Sequence, residues 1–232
     1  MTTCFSHIIK DHSLDFVGIQ ETKKKNFDPK YLRRVDPSDR FSWNWIPSVG
    51  KSGGVLCGVK KETSEIVSWT AGKYLLQATI FDVKLKSVWT LVVVYGAAHD
   101  DKRDDFLAEL ASTCSNISTP YVIGGDFNIL RESCDKNKDL HRSLYMDRFN
   151  SIIQNLSLRE IHMGGKYTWT NKQRHPTLEK LDIILMSPMW EDMFPLVTIR
   201  KLVRDVSDHN PLLLSSDSLK KKTPTSVNSD LT

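Results

Sequence analysis

The sequence predicts a mixed α/β sandwich, in which two β-sheets face one another and helices cover the outer faces. Three observations carry that expectation. Apolar runs of strand length outnumber helical patterns along the chain. Several of those runs are continuous rather than alternating, as strands covered on both faces are. They are joined both by a hairpin and by longer crossovers, which disfavours a doubly wound parallel sheet.

The elements follow in order. Phe5, Ile8 and Ile9 have helical spacing, and Phe16-Val17-Gly18-Ile19 and Gly53 to Val59 read as strands. Leu75 to Val83 and Val88 to Tyr95, joined by Lys84-Leu85-Lys86-Ser87, read as a hairpin. Phe106, Leu107, Leu110 and Ala111 recur at helical spacing behind an acidic first turn, Asp104 and Asp105, which suits the positive end of a helix dipole. Tyr121-Val122-Ile123 is a strand; Phe149, Ile152, Ile153 and Leu156 mark another helix; Leu181 to Leu185 and Leu212-Leu213-Leu214 are the last strands. Beyond them Lys220-Lys221-Lys222-Thr223-Pro224 and the polar residues that follow have no apolar period. Residues 1–216 are therefore expected to form one domain and 217–232 a disordered polar tail.

Composition narrows the function classes. With 40% apolar and 26% charged residues, and no apolar run near the eighteen or so that a spanning helix needs, the chain is expected to be intracellular and to avoid membranes. A net charge of +4 permits an anionic partner without requiring one. Cys4, Cys57, Cys114 and Cys134 form no C-x-x-C pair, which argues against a zinc ribbon or a disulfide framework. Cys57 and Cys114 lie in apolar patterns, where a thiol packs as a small hydrophobe.

Ligand-type residues sit where the apolar runs end. Ile19 leads into Gln20-Glu21-Thr22; Tyr121-Val122-Ile123-Gly124-Gly125 runs into Asp126-Phe127-Asn128; Asp182 opens the run to Leu185; and Ser207-Asp208-His209-Asn210 precedes Leu212. Taken singly, each also fits a turn, a cap or a solubilising strand end. Taken together they supply carboxylates, an amide and an imidazole, the groups that a hard cation and a phosphodiester require. Strand alternation would place Asp126 and Asn128 on one side.

In this order Gln20-Glu21-Thr22, Gly125-Asp126-Phe127-Asn128, Leu181-Asp182 and Ser207-Asp208-His209 resemble the endonuclease/exonuclease/phosphatase superfamily, over about residues 14 to 215. Val94-Tyr95-Gly96, Tyr167-Thr168-Trp169-Thr170-Asn171 and the Lys-Leu-Asp element are similar to the endonuclease domain of plant non-LTR retrotransposons. The resemblance implies a deoxyribonuclease I-like sandwich that hydrolyses phosphodiesters with Mg²⁺, or Mn²⁺ in its place. It implies that Glu21 and Asp208 lie at the metal. Asp126 would align or deprotonate water beside Asn128. His209 would contact the scissile phosphate with Asp182 orienting it, and Tyr95 would donate to a phosphate oxygen. Thr168 and Ser207 would support the substrate rim.

Members of that superfamily normally begin with an asparagine-bearing strand, and here the first asparagine is Asn26, after Glu21. The first strand is therefore expected to be missing, which would weaken the metal site and reduce or abolish activity. Ile183 stands where plant relatives often carry Arg. The expected role is a DNA-nicking retroelement endonuclease, monomeric and nuclear. The alternatives are a non-catalytic nucleic-acid-binding module or pseudogene fragment, and a phosphoinositide or lipid phosphodiesterase. Arg33, Arg34, Lys172 and Arg174 are candidate backbone contacts or simply a solvated face.

Overall fold

A computed structural model describes residues 2–50, 52–204 and 207–216. The segment 217–232, expected to be a disordered tail, lies outside the described residues. The elements run α1 (Thr2–Asp11), β1 (Phe16–Ile19), α2 (Pro29–Val35), β2 (Phe41–Ile46), β3 (Val55–Lys60), β4 (Ser64–Ala71), β5 (Leu75–Asp82), β6 (Ser87–Tyr95), α3 (Arg103–Ser115) and β7 (Tyr121–Asp126). There follow α4 (Leu144–Asn155), β8 (Arg159–Glu160), β9 (Trp169–Thr170), β10 (Leu178–Glu179), β11 (Asp182–Met186), α5 (Pro188–Met193), β12 (Thr198–Lys201) and β13 (Leu212–Ser215).

A six-stranded sheet in the order β4-β5-β6-β7-β11-β8 faces a three-stranded sheet, β1-β3-β2, and a β12-β13 pair. The layer between them is apolar. Val55, Cys57 and Val59 of β3 meet Leu76, Ala78 and Ile80 of β5, Trp89 and Val93 of β6, and Val122 of β7, with Phe16, Leu212 and Leu214 packed at the margin. On the far face of the six-stranded sheet α3 and α4 bury Phe106, Leu110, Phe149 and Ile153 against Val92, Val94 and Ile123. The outer face of the smaller sheet is covered in the same way, with Ile9 of α1 and Val35 of α2 over Val17 and Phe41. Helices thus cover both outer faces, as the sequence predicts.

The continuous apolar runs find their explanation here. In β6, Val92, Val93 and Val94 are all buried because odd and even positions face different apolar layers. Each such side chain, fully buried, contributes about 1.5–3 kcal/mol. The hairpin expected at Leu75 to Tyr95 forms as β5 and β6, in unbroken register from Leu75–Val94 to Asp82–Ser87. β6 and β7 are parallel, and α3 is the crossover between them.

Most elements absent from the sequence reading were short, exposed or terminally specified; β2, six residues long with Phe41 and Ile46 buried, was none of these and was missed as well. β4 exposes most of its residues at the sheet edge, and only Ser64 is fully buried. α2 and α5 are set by their starts: Asp28 Oδ1 accepts from Tyr31 N at 2.6 Å ahead of Pro29, and Ser187 Oγ from Trp190 N at 3.3 Å ahead of Pro188. Cys57 and Cys114 are buried, and burial pushes each thiol up to about 12, which fits the packing role expected of them.

Candidate active site

Three neighbouring strands bring their polar ends to one rim. β6 and β7 are parallel and finish together, while β11 is antiparallel and starts beside them, so Tyr95, Asp126 and Asp182 stand side by side in register. The backbones approach closely there. A Cβ on Gly96 would lie 2.1 Å from the Phe127 carbonyl oxygen, and one on Gly125 would lie 2.2 Å from that of Val94, with Gly125 at φ +144°. Neither position accepts a side chain without moving the strand ends that carry Tyr95 and Asp126.

Asn128 reaches the same side as Asp126, but not through strand alternation. β7 ends at Asp126, and Asn128 takes a left-handed conformation at φ +53°, which asparagine tolerates better than most residues. The turn folds it back: its backbone N–H donates to Asp126 Oδ1 at 3.0 Å, and its Nδ2 donates to Asp126 Oδ2 and to the Gly96 carbonyl, both at 3.1 Å. Turn chemistry and carboxylate positioning are one arrangement.

His209 comes from a strap laid against β9. Thr170 N–H donates to the Asp208 carbonyl at 3.1 Å and Asn210 N–H to the Thr168 carbonyl at 2.8 Å. This places the imidazole between two carboxylates, with Nδ1 2.8 Å from Asp182 Oδ2 and Nε2 3.8 Å from Asp126 Oδ2. Asp182 is itself fixed from behind, since Thr168 Oγ1 accepts from Leu181 N at 3.1 Å and from Asp182 N at 3.0 Å.

These surroundings set the charges. Burial alone would lower the His209 pKa, but the hydrogen bond and charge of Asp182, with Asp126 and Asp208 behind it, outweigh that and raise it to about 9. Burial, then the charge of Asp182, raises Asp126 to about 7, against the opposing pull of His209 and the Asn128 N–H. Burial and the charges of Glu21, Asp126 and Asp208 push the Tyr95 phenol well above its ordinary value, so it remains a donor. Near neutral pH the imidazole is therefore held in its charged form, and the buried Asp126 carboxyl takes up a proton far more readily than an exposed one.

Glu21, Tyr95, Asp126, Asn128, Asp208 and His209 line one cleft of about 310 Å³. Asp182 sits behind His209. Thr168, expected at the substrate rim, is fully buried and acts on the backbone of Asp182 instead. Ser207 is exposed and accepts from the His209 backbone N–H at 3.0 Å, outside the lining of the cleft. Arg103, Trp169, Glu179 and Leu181 also line it, and sequence reasoning gave them no role. Trp169 and Leu181 had a signal, as neighbours of Thr168 in the Tyr-Thr-Trp-Thr-Asn stretch and of Asp182 in Leu181-Asp182. A larger groove of about 530 Å³ between α3 and α4 contains Leu107, Ala108, Ala111 and Ile152 with a few charges at its edge, and lacks any convergence of acid, base and donor.

The donor set has hard oxygen ligands of the kind Mg²⁺ takes. Its geometry is open: Glu21 Oε1 is 3.1 Å from Lys23 Nζ, and among the described residues no three acidic, histidine or cysteine side chains converge as a metal cage. Any divalent ion here would keep several waters.

The sequence profile of the Endonuclease/Exonuclease/phosphatase family matches residues 3–209, which includes every residue of this cleft. The chain belongs to that family. No curated protein matches it. Among solved structures of the fold, the 3′ phosphatase NExo from Neisseria, bound to a product DNA hairpin, superposes with a TM-score of 0.73 at 18% identity, over 91% of this chain and 92% of that one. The endonuclease domain of TRAS1, a telomere-specific non-LTR retrotransposon, gives 0.69 at 15% identity, over 92% and 91%. The AP endonuclease LMAP from Leishmania major gives 0.70 at 15%, over 90% and 80%. At these identities the likeness is one of fold. It shows that the chain has the fold of this family, with deoxyribonuclease I-like architecture.

Proposed function

We propose that this chain is a Mg²⁺-dependent phosphodiesterase that nicks DNA, of the non-LTR retrotransposon endonuclease type, and that it turns over slowly. The observation that carries the reading is the line Asp182–His209–Asp126, with contacts of 2.8 Å and 3.8 Å at the mouth of the cleft. An imidazolium and a buried carboxyl of raised pKa, 3.8 Å apart at their nearest atoms, are the two proton-handling groups that hydrolysis of a phosphodiester uses.

Each residue has a part. His209, charged and fixed through Nδ1, directs Nε2–H at a non-bridging phosphate oxygen and offsets the charge gathering there. Asp126 receives a proton from the attacking water, with its carboxylate steered by two bonds from Asn128. Tyr95, kept protonated by its raised pKa, donates a hydrogen bond to a second phosphate oxygen; as the P–O bond to water forms, the sugar oxygen leaves and takes a proton from solvent. Asp182 holds the imidazole charged and does not touch substrate.

Four carboxylates within or behind the cleft, Glu21, Asp126, Asp182 and Asp208, would repel a phosphate, so a cation is needed for substrate to settle. Glu21 and Asp208 would hold Mg²⁺, with Mn²⁺ an acceptable substitute, and when bound the ion polarises a phosphate oxygen. Slow turnover is expected because an ion held by few protein ligands is easily misplaced relative to the phosphate. DNA as substrate is supported by fold likeness to a phosphatase bound to a DNA hairpin, an AP endonuclease and a retrotransposon endonuclease, and with it we read the chain as a monomer that works in the nucleus. No helix among the described residues is long and apolar enough to cross a membrane.

A substrate panel tests the proposal. Purified protein with 10 mM-range MgCl₂ (roughly saturating for a weak hydrated site) is expected to nick supercoiled plasmid and to leave phosphoinositide head groups and p-nitrophenyl phosphate intact. Preference for the lipid head group or the monoester would replace this reading with a phosphatase one.

A further inference from the structure

We infer that Trp169 is a positioning residue of the active site: its indole N–H holds one carboxylate oxygen of Asp208 and so presents the other to the cleft. The inference rests on the reading of Asp208 as a cation-side carboxylate. Trp169 Nε1 lies 3.0 Å from Asp208 Oδ2, a charge-assisted bond from a group that donates once and accepts nothing. Elsewhere in the chain indole donors are left unspent, since Trp89 and Trp190 bury Nε1 with no partner. Apolar packing alone therefore accounts for those two rings but not for the aim of this one.

The surrounding backbone makes the bond a fixed feature. Trp169 is bridged to His209, Thr170 N–H ties down the Asp208 carbonyl, and the ring packs at the margin of Leu130, Met146 and Leu181. Arg204 Nη1 also donates to the Asp208 carbonyl, at 3.2 Å, so main chain and side chain of Asp208 are held by separate groups. Two consecutive residues at the start of this segment thereby serve two carboxylates of the site: Thr168 fixes the backbone of Asp182, and Trp169 fixes the side chain of Asp208. Free to rotate, the half-exposed Asp208 would spend part of its time turned away from the cleft, and a cation held by few protein ligands is the species most sensitive to that loss.

Two measurements on the whole protein test this. In ¹⁵N-labelled protein, six tryptophans give six indole N–H signals. The signal lost in Trp169→Phe identifies Trp169; in Asp208→Asn that signal is expected to shift and to lose protection from hydrogen exchange, and an unmoved, equally protected signal would overturn the inference. In calorimetric titration with Mn²⁺ as probe, Trp169→Phe is expected to weaken binding about 3- to 10-fold, and Trp169→Phe/Asp208→Asn to bind no worse than Asp208→Asn alone. Additive losses would make Trp169 a packing residue only. On plasmid, Trp169→Phe is expected to lower kcat at limiting metal, with recovery at high metal and unchanged KM for DNA; a rise in KM alone would also count against it. If wild-type protein neither binds Mn²⁺ nor nicks DNA, the proposed function fails, while the indole signal still decides the positioning claim.

Discussion

Replacing Asp182 by asparagine keeps the side chain's size and its carbonyl acceptor but removes the charge 2.8 Å from His209 Nδ1. With that charge present, an imidazole at about 9 is about 97% protonated at pH 7.5. Without it, burial acts against the charged form, and at the ordinary value of about 6.5 the same group is about 9% protonated. Protonation alone therefore accounts for about a tenfold loss. Looser orientation multiplies it, so kcat/KM for plasmid nicking is expected to fall on the order of 100-fold at pH 7.5, within the range a positioned acid or base contributes. KM for DNA should change little, since Asp182 is 8% exposed and lies behind the imidazole. Initial nicking rates at saturating MgCl₂, with an NMR titration of the His209 ring, provide the check. A variant within threefold of wild type, with His209 still titrating near 9, would refute the reasoning.

Other predictions follow from the same geometry. The pH–rate profile should be bell-shaped, rising through about 7 as Asp126 ionises and falling through about 9 as His209 loses its proton; a flat profile from pH 6 to 10 would contradict the roles of both. Stability should fall as pH rises, because the raised carboxyl of Asp126 favours the fold only while protonated and the raised imidazole of His209 only while charged. Thermal midpoints of wild type should therefore drop from about pH 4 to 7 through Asp126 and from about pH 6.5 to 9 through His209; Asp126→Asn should lack the first drop and melt higher than wild type at pH 8 while losing activity. Glu160 is held below the usual carboxylate range against burial by Lys180 and Arg131; Glu160→Gln should cost on the order of 2 kcal/mol in urea unfolding at pH 7, a difference that disappears as pH falls below about 4. Gly96→Ala, whose Cβ meets the Phe127 carbonyl oxygen at 2.1 Å, should cut nicking at least tenfold and lower the melting midpoint, as circular dichroism would show.

Much of this was legible in the sequence because the chemistry sits at the ends of long apolar runs. Once β6, β7 and β11 are recognised as buried strands, Tyr95, Asp126 and Asp182 must emerge at sheet rims, and register then brings them together. The order of Asp126, Asn128 and His209 was readable from motif spacing. What was not readable depended on backbone conformation and tertiary contact. Asn128 shares a side with Asp126 through a left-handed turn rather than a pleat. Thr168 looked like a rim residue, and the burial that makes it a support for Asp182 comes from packing that spacing does not encode. Trp169 sits in a two-residue strand, too short for any period, so its bond to Asp208 had no signal in one dimension. The edge strand β4 and the capped helices α2 and α5 were missed because exposure and terminal hydrogen bonds, rather than an apolar stripe, define them.

The central claim is that the His209–Asp126 cleft cleaves the DNA backbone with a divalent cation, and nicking of supercoiled plasmid tests it most directly. Conversion to open circles that requires Mg²⁺, stops with EDTA and is lost in both His209→Ala and Asp126→Ala is the predicted result. Intact plasmid at every Mg²⁺ and Mn²⁺ concentration, or nicking that survives both substitutions, would contradict it.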